Sequence, residues 1–467
     1  MKVEKITAPY GSWKSPITPG VFSGASKILG GTAVDSHGRL LWLESRPDDS
    51  GEVYKRVFVA GCDPKIIQSL TEPKWSPKGE LIFISDREHG YWNLHKWVES
   101  NNEVICLYPW LAECSRPLWN FRMNSYEFTQ GHEQNMLIPC SYRQNGRSYL
   151  GILDDVESSI TVLHIPFTDI DNITLGINCL FVEGASEVLP FSPKFIEFST
   201  EVPGEFAFGY FYTPSNPEYK ATRDEKPPLV LQAHGGPTFE SRRVLNMSIQ
   251  YCTSRGWAFV TVNYGGSTGY GRKYCERRMG KWGVVDVNDC CSCARYLVDS
   301  GKVDGERLCF TRDSAGGYTA LAALAFRDTF HAGASLYDIA DLAMLRAETH
   351  KFESHYIDNL VGSEKDYFDR SPDRSPINFV DKFSCPIILF QGLEDKSVPP
   401  ARARKIYAWK EKGLPVALVE YEGEQHGFRK AENIKFTLEQ QMVFFARLVG
   451  HFKVADEITP IRIDNYN

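Results

Sequence analysis

The chain has 467 residues, of which 42% are hydrophobic and 24% charged, and its formal net charge is −7. That length exceeds one ordinary core and suggests about two or three domains, with the composition of a soluble globular protein. The acidic balance argues against nucleic acid or an anionic membrane as the main partner, and no apolar run approaches the length of a spanning helix.

The start, Met1-Lys-Val-Glu4, has no apolar signal core, and so early a glutamate is unlike a transit peptide. A cytoplasmic chain is expected. Twelve cysteines are scattered, and three crowd into Cys290-Cys291-Ser292-Cys293. A metal reading wants a second Cys or His pair at ligand spacing, and none lies nearby, so reduced and mostly buried thiols are expected. With no nucleotide loop either, neither a metal nor another cofactor is expected. The Asn172 and Asn246 glycosylation patterns are at chance level without a signal peptide.

From residue 33 to about 192 the chain reads as short strands broken by turns. A strand at 40–44 follows Asp35-Ser-His-Gly38, and another is predicted at 53–60. The strand at 81–85 is introduced by Trp75-Ser-Pro-Lys-Gly79 and followed by Asp86-Arg-Glu-His-Gly90. A Pro-x-Gly turn, a short apolar strand and Ser-Asp form a theme that recurs in β-propeller blades. Blades run about 40–45 residues, so this stretch holds at most four of them. A generic all-β domain remains the alternative. The first domain is therefore 1–192.

After about Pro193 the rhythm changes. A hairpin at 196–199 and 206–213 leads into a polar loop. Strands at 229–233, 258–263, 307–311, 333–337, 387–391 and 417–421 then alternate with helices at 286–299, 317–326, 402–412 and 437–452. Such alternation predicts an α/β domain over 193–467, a mostly parallel sheet with helices on both faces. Right-handed crossovers would place the functional loops at the strands' C-terminal ends.

Those loops carry the chemistry. In Arg307-Leu-Cys-Phe-Thr-Arg-Asp-Ser-Ala-Gly-Gly-Tyr318 a strand runs into a helix with Ser314 at the turn, the placement of a nucleophile elbow. A serine hydroxyl is a poor nucleophile unless a base removes its proton. Asp395, in Gly392-Leu-Glu-Asp395, and His426, in Glu424-Gln-His-Gly427, each follow a predicted strand. The order Ser, Asp, His is that of α/β-hydrolases. His426 is the expected general base and Asp395 its orienting acid. Ala233-His-Gly-Gly-Pro237 also follows a strand, and Gly236 and Ala315 are the expected oxyanion-hole donors. The loop Gly265-Gly-Ser-Thr-Gly-Tyr-Gly271 lacks the Lys-Ser/Thr of a phosphate cradle and reads as a substrate-side loop.

Together these segments resemble the prolyl oligopeptidase family of serine peptidases, in its acylaminoacyl-peptidase and dipeptidyl-aminopeptidase-like branch. Plant members are similar also through Thr349-His-Lys-Phe-Glu353 and the tail Val454-Ala-Asp-Glu-Ile458. The resemblance implies short peptide substrates, N-acylated ones among them, admitted past a β-propeller that excludes folded proteins. It leaves self-association open. Three departures stand out. Arg312 replaces the first glycine of the family's Gly-x-Ser-x-Gly, so its side chain must find an exit or distort the turn. The β-rich part is about half the length a seven-bladed propeller needs, a shortened propeller whose pattern breaks at Cys62-Asp-Pro64. Asp369-Arg-Ser-Pro-Asp-Arg-Ser-Pro376 is a tandem repeat of the kind loops tolerate. A carboxylesterase on the same scaffold, or a catalytically impaired homologue that binds partners, are the alternatives to a peptidase.

Overall fold

The computed structural model describes residues 5–18, 28–34, 40–45, 71–98, 100–101, 103–117, 123–130, 135–176, 179–185, 192–348, 356–362 and 372–466. The predicted strand at 53–60, the break at Cys62-Asp-Pro64, the stretch 349–353 and the start of the tandem repeat lie outside them.

The N-terminal part is β-rich. Strand β1 (Ile6–Thr7) pairs in parallel with the distant β16 (Tyr219–Lys220). A two-stranded antiparallel pair is formed by β2 (Ile28–Val34) and β3 (Leu40–Ser45). Then β4 (Thr71–Trp75), β5 (Leu81–Ser85), β6 (Asn93–Val98) and β7 (Glu103–Cys106) make a four-stranded meander in chain order. A second meander joins β8 (Thr129–Gln130), β9 (Met136–Gln144), β10 (Arg147–Asp154) and β11 (Ser159–Leu163), and β12 (Asp169–Leu175) pairs with β13 (Leu180–Ala185). Four-stranded antiparallel meanders are the unit of propeller blades. The turn between β4 and β5 is set by Gly79, whose φ of +78° suits glycine and whose N–H donates to the Ser76 carbonyl at 2.9 Å. Inward residues of both meanders, Ile82, Ile84 and Leu94 with Ile138, Cys140 and Leu153, share one core.

The C-terminal part is an eight-stranded sheet. It contains β14 (Lys194–Ser199), β15 (Phe206–Tyr212), β17 (Leu229–Ala233), β18 (Ala258–Asn263), β19 (Leu308–Asp313), β20 (Ala332–Leu336), β21 (Ile387–Gly392) and β22 (Val416–Tyr421). Their order is β14-β15-β18-β17-β19-β20-β21-β22. Only β15 runs opposite to the other seven strands of this sheet. Strands covered on both faces read as unbroken apolar runs, and every residue of β18 and β21 is buried.

The helices are α1 (Met247–Thr253), α2 (Arg272–Glu276), α3 (Val285–Asp299), α4 (Ser314–Phe326), α5 (Leu342–Glu348), α6 (Tyr356–Val361), α7 (Ala401–Tyr407) and α8 (Ala431–Phe445). One sheet face packs against α3 and α4, through residues such as Leu297, Ala320 and Leu324. The other face packs against α1 and α8, through Ile249, Cys252, Met442 and Phe445. Several predicted bounds shift. The strand at 307–311 extends to Asp313, and the helix at 317–326 begins at Ser314 itself. The helix at 402–412 divides into α7 and a 3₁₀ turn, Ala408–Lys412. The helix at 437–452 begins at Ala431 and ends in a π turn, Ala446–Gly450. None of the helices among the described residues is long and apolar enough to cross a membrane.

The two parts meet through charge as well as shape. Arg272 Nε donates to Asp86 Oδ2 at 2.7 Å, and its backbone N–H donates to the Gly90 carbonyl at 2.6 Å. Arg143 pairs with Glu240 where both are buried. Glu113 is sealed between the parts, one oxygen accepting from Trp92 N and the other from Gly271 N.

Candidate active site

The strand order reverses at β17, which has β18 on one side and β19 on the other. In open α/β sheets a crevice forms outside the carboxyl ends of strands at such a switch point. The Ala233-His-Gly-Gly-Pro237 loop leaves β17 and the elbow leaves β19, so the two lie side by side there.

Ser314 opens α4 with φ +49°, a left-handed conformation that costs a non-glycine residue about 1–3 kcal/mol. The strain lifts its hydroxyl off the strand end into the crevice. Small residues behind it are required. A Cβ on Gly316 would stand 2.3 Å from Arg312 Cγ and 3.0 Å from the Ala233 carbonyl oxygen; one on Gly317 would stand 2.9 Å from Asp338 Cβ.

Asp395 follows β21 and His426 follows β22. Asp395 Oδ1 accepts from Ser397 N and Val398 N, both at 2.8 Å. Its Oδ2 lies 2.9 Å from His426 Nδ1, and His426 Nε2 lies 3.0 Å from Ser314 Oγ. A carboxylate only accepts, so the imidazole proton sits on Nδ1, and Nε2 accepts from the serine hydroxyl. The Asp395 side chain is fully buried while that of His426 is 31% exposed. The carboxylate is thus sealed beneath an imidazole that faces the crevice.

Gly236 has φ +102°, open to glycine and strained for any other residue. The Tyr356 hydroxyl donates to its carbonyl at 2.9 Å and receives the Thr238 N–H at 2.9 Å, which pins the loop. Ala315 is buried in the first turn of α4, where helix N–H groups have no intrahelical acceptor. His234 is buried under stacked Tyr264, with ring centroids 4.2 Å apart. Its Nδ1 faces the Gly235 carbonyl at 2.9 Å, and its Nε2 lies 2.6 Å from Ser267 Oγ. Burial pushes its pKa down to about 3, so it is a neutral support for the loop.

Arg312 finds an exit. It pairs with Ser335 in the β19–β20 register, and its side chain lines a cavity of about 270 Å³ shared with Tyr337, Phe428, Leu438 and Gln441. Its Nε lies 2.5 Å from Asp313 Oδ1, close as an ion pair but not aligned as a hydrogen bond. The line from Ser314 to His426 and Asp395 is intact beside it.

Two positioning residues escaped the sequence reading. Glu424, buried at the base of the His426 loop, accepts from Arg429 N at 2.8 Å, Lys430 N at 2.9 Å and Asn433 Nδ2 at 2.9 Å. Tyr337 packs under His426. Glu424 lay in a quoted motif but carried no pattern of its own, and Tyr337 ended an ordinary apolar strand.

Residues 243–452 match the family model described as "Prolyl oligopeptidase family". A crystal structure of puromycin hydrolase superposes with a TM-score of 0.78 at 31% identity, covering 93% of this chain and 71% of that one. The chain belongs to the prolyl oligopeptidase family. Two curated relatives each match a stretch of just under half of the chain. Dipeptidyl aminopeptidase BIII of Pseudoxanthomonas mexicana is 28% identical over 234 residues, 49% of this chain and 34% of the enzyme. The acylamino-acid-releasing enzyme of Arabidopsis thaliana is 28% identical over 211 residues, 43% of this chain and 27% of the enzyme. The chain thus spans about a third of the length of the curated relatives it matches. The family assignment carries the expected fold with it, an α/β-hydrolase part behind a β-rich one.

Proposed function

We propose that the chain is a serine peptidase that hydrolyses short peptides through an acyl-enzyme on Ser314. The observation that carries this reading is the hydrogen-bonded line from Ser314 through His426 to Asp395, set on a strained strand-to-helix turn. As Ser314 Oγ attacks the substrate carbonyl carbon, its proton moves to His426 Nε2 and the carbonyl π electrons move onto oxygen. Asp395 holds the ring and balances its charge. The N–H groups of Gly236 and Ala315 receive the oxyanion, where such donors act without reorganising. His426 then protonates the departing amine as the C–N bond breaks, and water repeats the cycle to free the acid.

The β-rich part, over about 1–192, is proposed to screen substrates for the α/β part over 193–467. The names of the relatives suggest the panel: an acetyl-alanyl anilide for the acylamino-acid-releasing enzymes, alanyl and dialanyl anilides for the dipeptidyl aminopeptidase, and puromycin. Short acyl esters complete it. Amide hydrolysis that disappears in Ser314→Ala supports the peptidase reading. Turnover of esters alone would replace it with a carboxylesterase, and no turnover anywhere would leave a binding protein.

A further inference from the structure

The first meander holds a group of side chains that the peptide chemistry does not use. Glu88, in the turn between β5 and β6, His95 on β6 and Cys106 on β7 present one ligand atom each, all within 4.8 Å of one another. His95 and Cys106 are direct cross-strand partners, so their proximity is fixed by the antiparallel register. The turn that folds Glu88 over them is closed by Gly90 N donating to the Asp86 carbonyl at 3.0 Å.

The decisive observation is the state of His95. Its side chain is 1% exposed, and Nδ1 lies 2.9 Å from the Asn93 carbonyl, which can only accept. The proton is therefore on Nδ1, and Nε2 carries a bare lone pair. That atom is buried without a hydrogen-bond partner. It points to Glu88 Oε1 at 3.9 Å, too far for a hydrogen bond but ordinary for two ligands of one ion. A carbonyl holding the far nitrogen is the usual outer support of a ligating histidine.

We propose that Glu88, His95 and Cys106 form a zinc-class divalent metal site, with water in the fourth position on the exposed Glu88 side. Carboxylate, imidazole and thiolate together suit a borderline-soft tetrahedral ion. On binding, the Cys106 S–H bond breaks, its proton leaves to solvent and a metal–sulfur bond forms; nothing is oxidised or reduced. The expected absence of a metal rested on the lack of paired Cys and His motifs; here the ligands are spread over 88–106 and only strand pairing unites them. The turn carrying Glu88 also carries Asp86, the partner of Arg272, so the ion would brace the contact between the two parts.

The test uses the full chain, stripped with chelator and titrated with Co²⁺ and then Zn²⁺. One Co²⁺ per chain is expected, with a thiolate-to-cobalt charge-transfer band that Zn²⁺ displaces and that Cys106→Ser abolishes. Glu88→Gln, at an exposed position, is expected to fold normally and to weaken Zn²⁺ binding about tenfold or more. Absence of stoichiometric binding, a band that survives Cys106→Ser, or full affinity in Glu88→Gln would each overturn the site.

Discussion

The Tyr337 ring stands edge-on to the His426 imidazole, with centroids 5.0 Å apart at 69°, while its hydroxyl donates to Asp313 Oδ2 at 2.7 Å. Tyr337 itself has φ +37°, so the strand end beneath His426 is strained as the turn at Ser314 is. One side chain therefore ties His426 to the residue preceding Ser314. Tyr337→Phe keeps the ring and loses the hydroxyl contact; it is expected to lower kcat less than tenfold. Tyr337→Ala removes the support of the imidazole, and a displacement of about 1 Å there costs on the order of 100-fold in kcat. Steady-state kinetics on the two variants separates packing from hydrogen bonding, and equal losses would contradict the packing role.

Because the Arg312 stem lies against Gly316 while the residue reaches the cavity wall and leaves the Ser314–His426–Asp395 line intact, Arg312→Gly is expected to leave kcat/KM within about threefold. It would cost roughly 0.5–1 kcal/mol of stability, as glycine does in a strand. Gly316→Ala is expected to abolish most activity, since its Cβ would meet Arg312 Cγ and the Ala233 carbonyl. The double variant Gly316→Ala, Arg312→Gly removes the first clash and should recover part of that loss. Failure to recover any would place the cost wholly on the Ala233 contact.

Glu424 fastens the loop that carries His426. Glu424→Ala leaves two backbone N–H groups without their acceptor, a loss of about 1.5–3 kcal/mol for bonds to a charged group. Thermal unfolding should show it, and kcat should fall while KM changes little. A larger change in KM would assign Glu424 to substrate binding instead.

His234 predicts a pH signature. Its folded pKa, about 3, lies below the ordinary histidine value, so between these limits the unfolded chain binds a proton that the folded one refuses. Stability from this residue is complete above about pH 6.5 and is lost as pH falls toward 3, by up to about 1.4 kcal/mol per pH unit. His234→Gln should destabilise most near pH 7.5, with the penalty shrinking by pH 4.5. Denaturant unfolding at the two pH values measures it, and a penalty independent of pH would contradict the buried neutral state.

Much of the α/β part was legible because buried parallel strands appear as unbroken apolar runs. Residues 229–233 and 258–263 fall on β17 and β18 as read. The strand-to-helix turn at Ser314 was legible because only small residues, Ala315, Gly316 and Gly317, fit where the helix starts so close to the strand. Helix α1 was not, being seven residues long with an isoleucine and a tyrosine that suit strands equally well. The start of α8 was missed because its first six residues mix apolar and polar side chains, none of them fully buried, and full burial begins only at Thr437. The roles of Glu424, Tyr337 and the Glu88–His95–Cys106 group depend on contacts across loops and strands, which no local spacing encodes.

The most direct test of the account is stoichiometric labelling with a fluorophosphonate, read by intact mass and peptide mapping. One label per chain on Ser314 is predicted, absent in Ser314→Ala and slowed by about 10³-fold or more in His426→Ala. Equal labelling of wild type and Ser314→Ala, or a wild-type chain that takes no label, would contradict it.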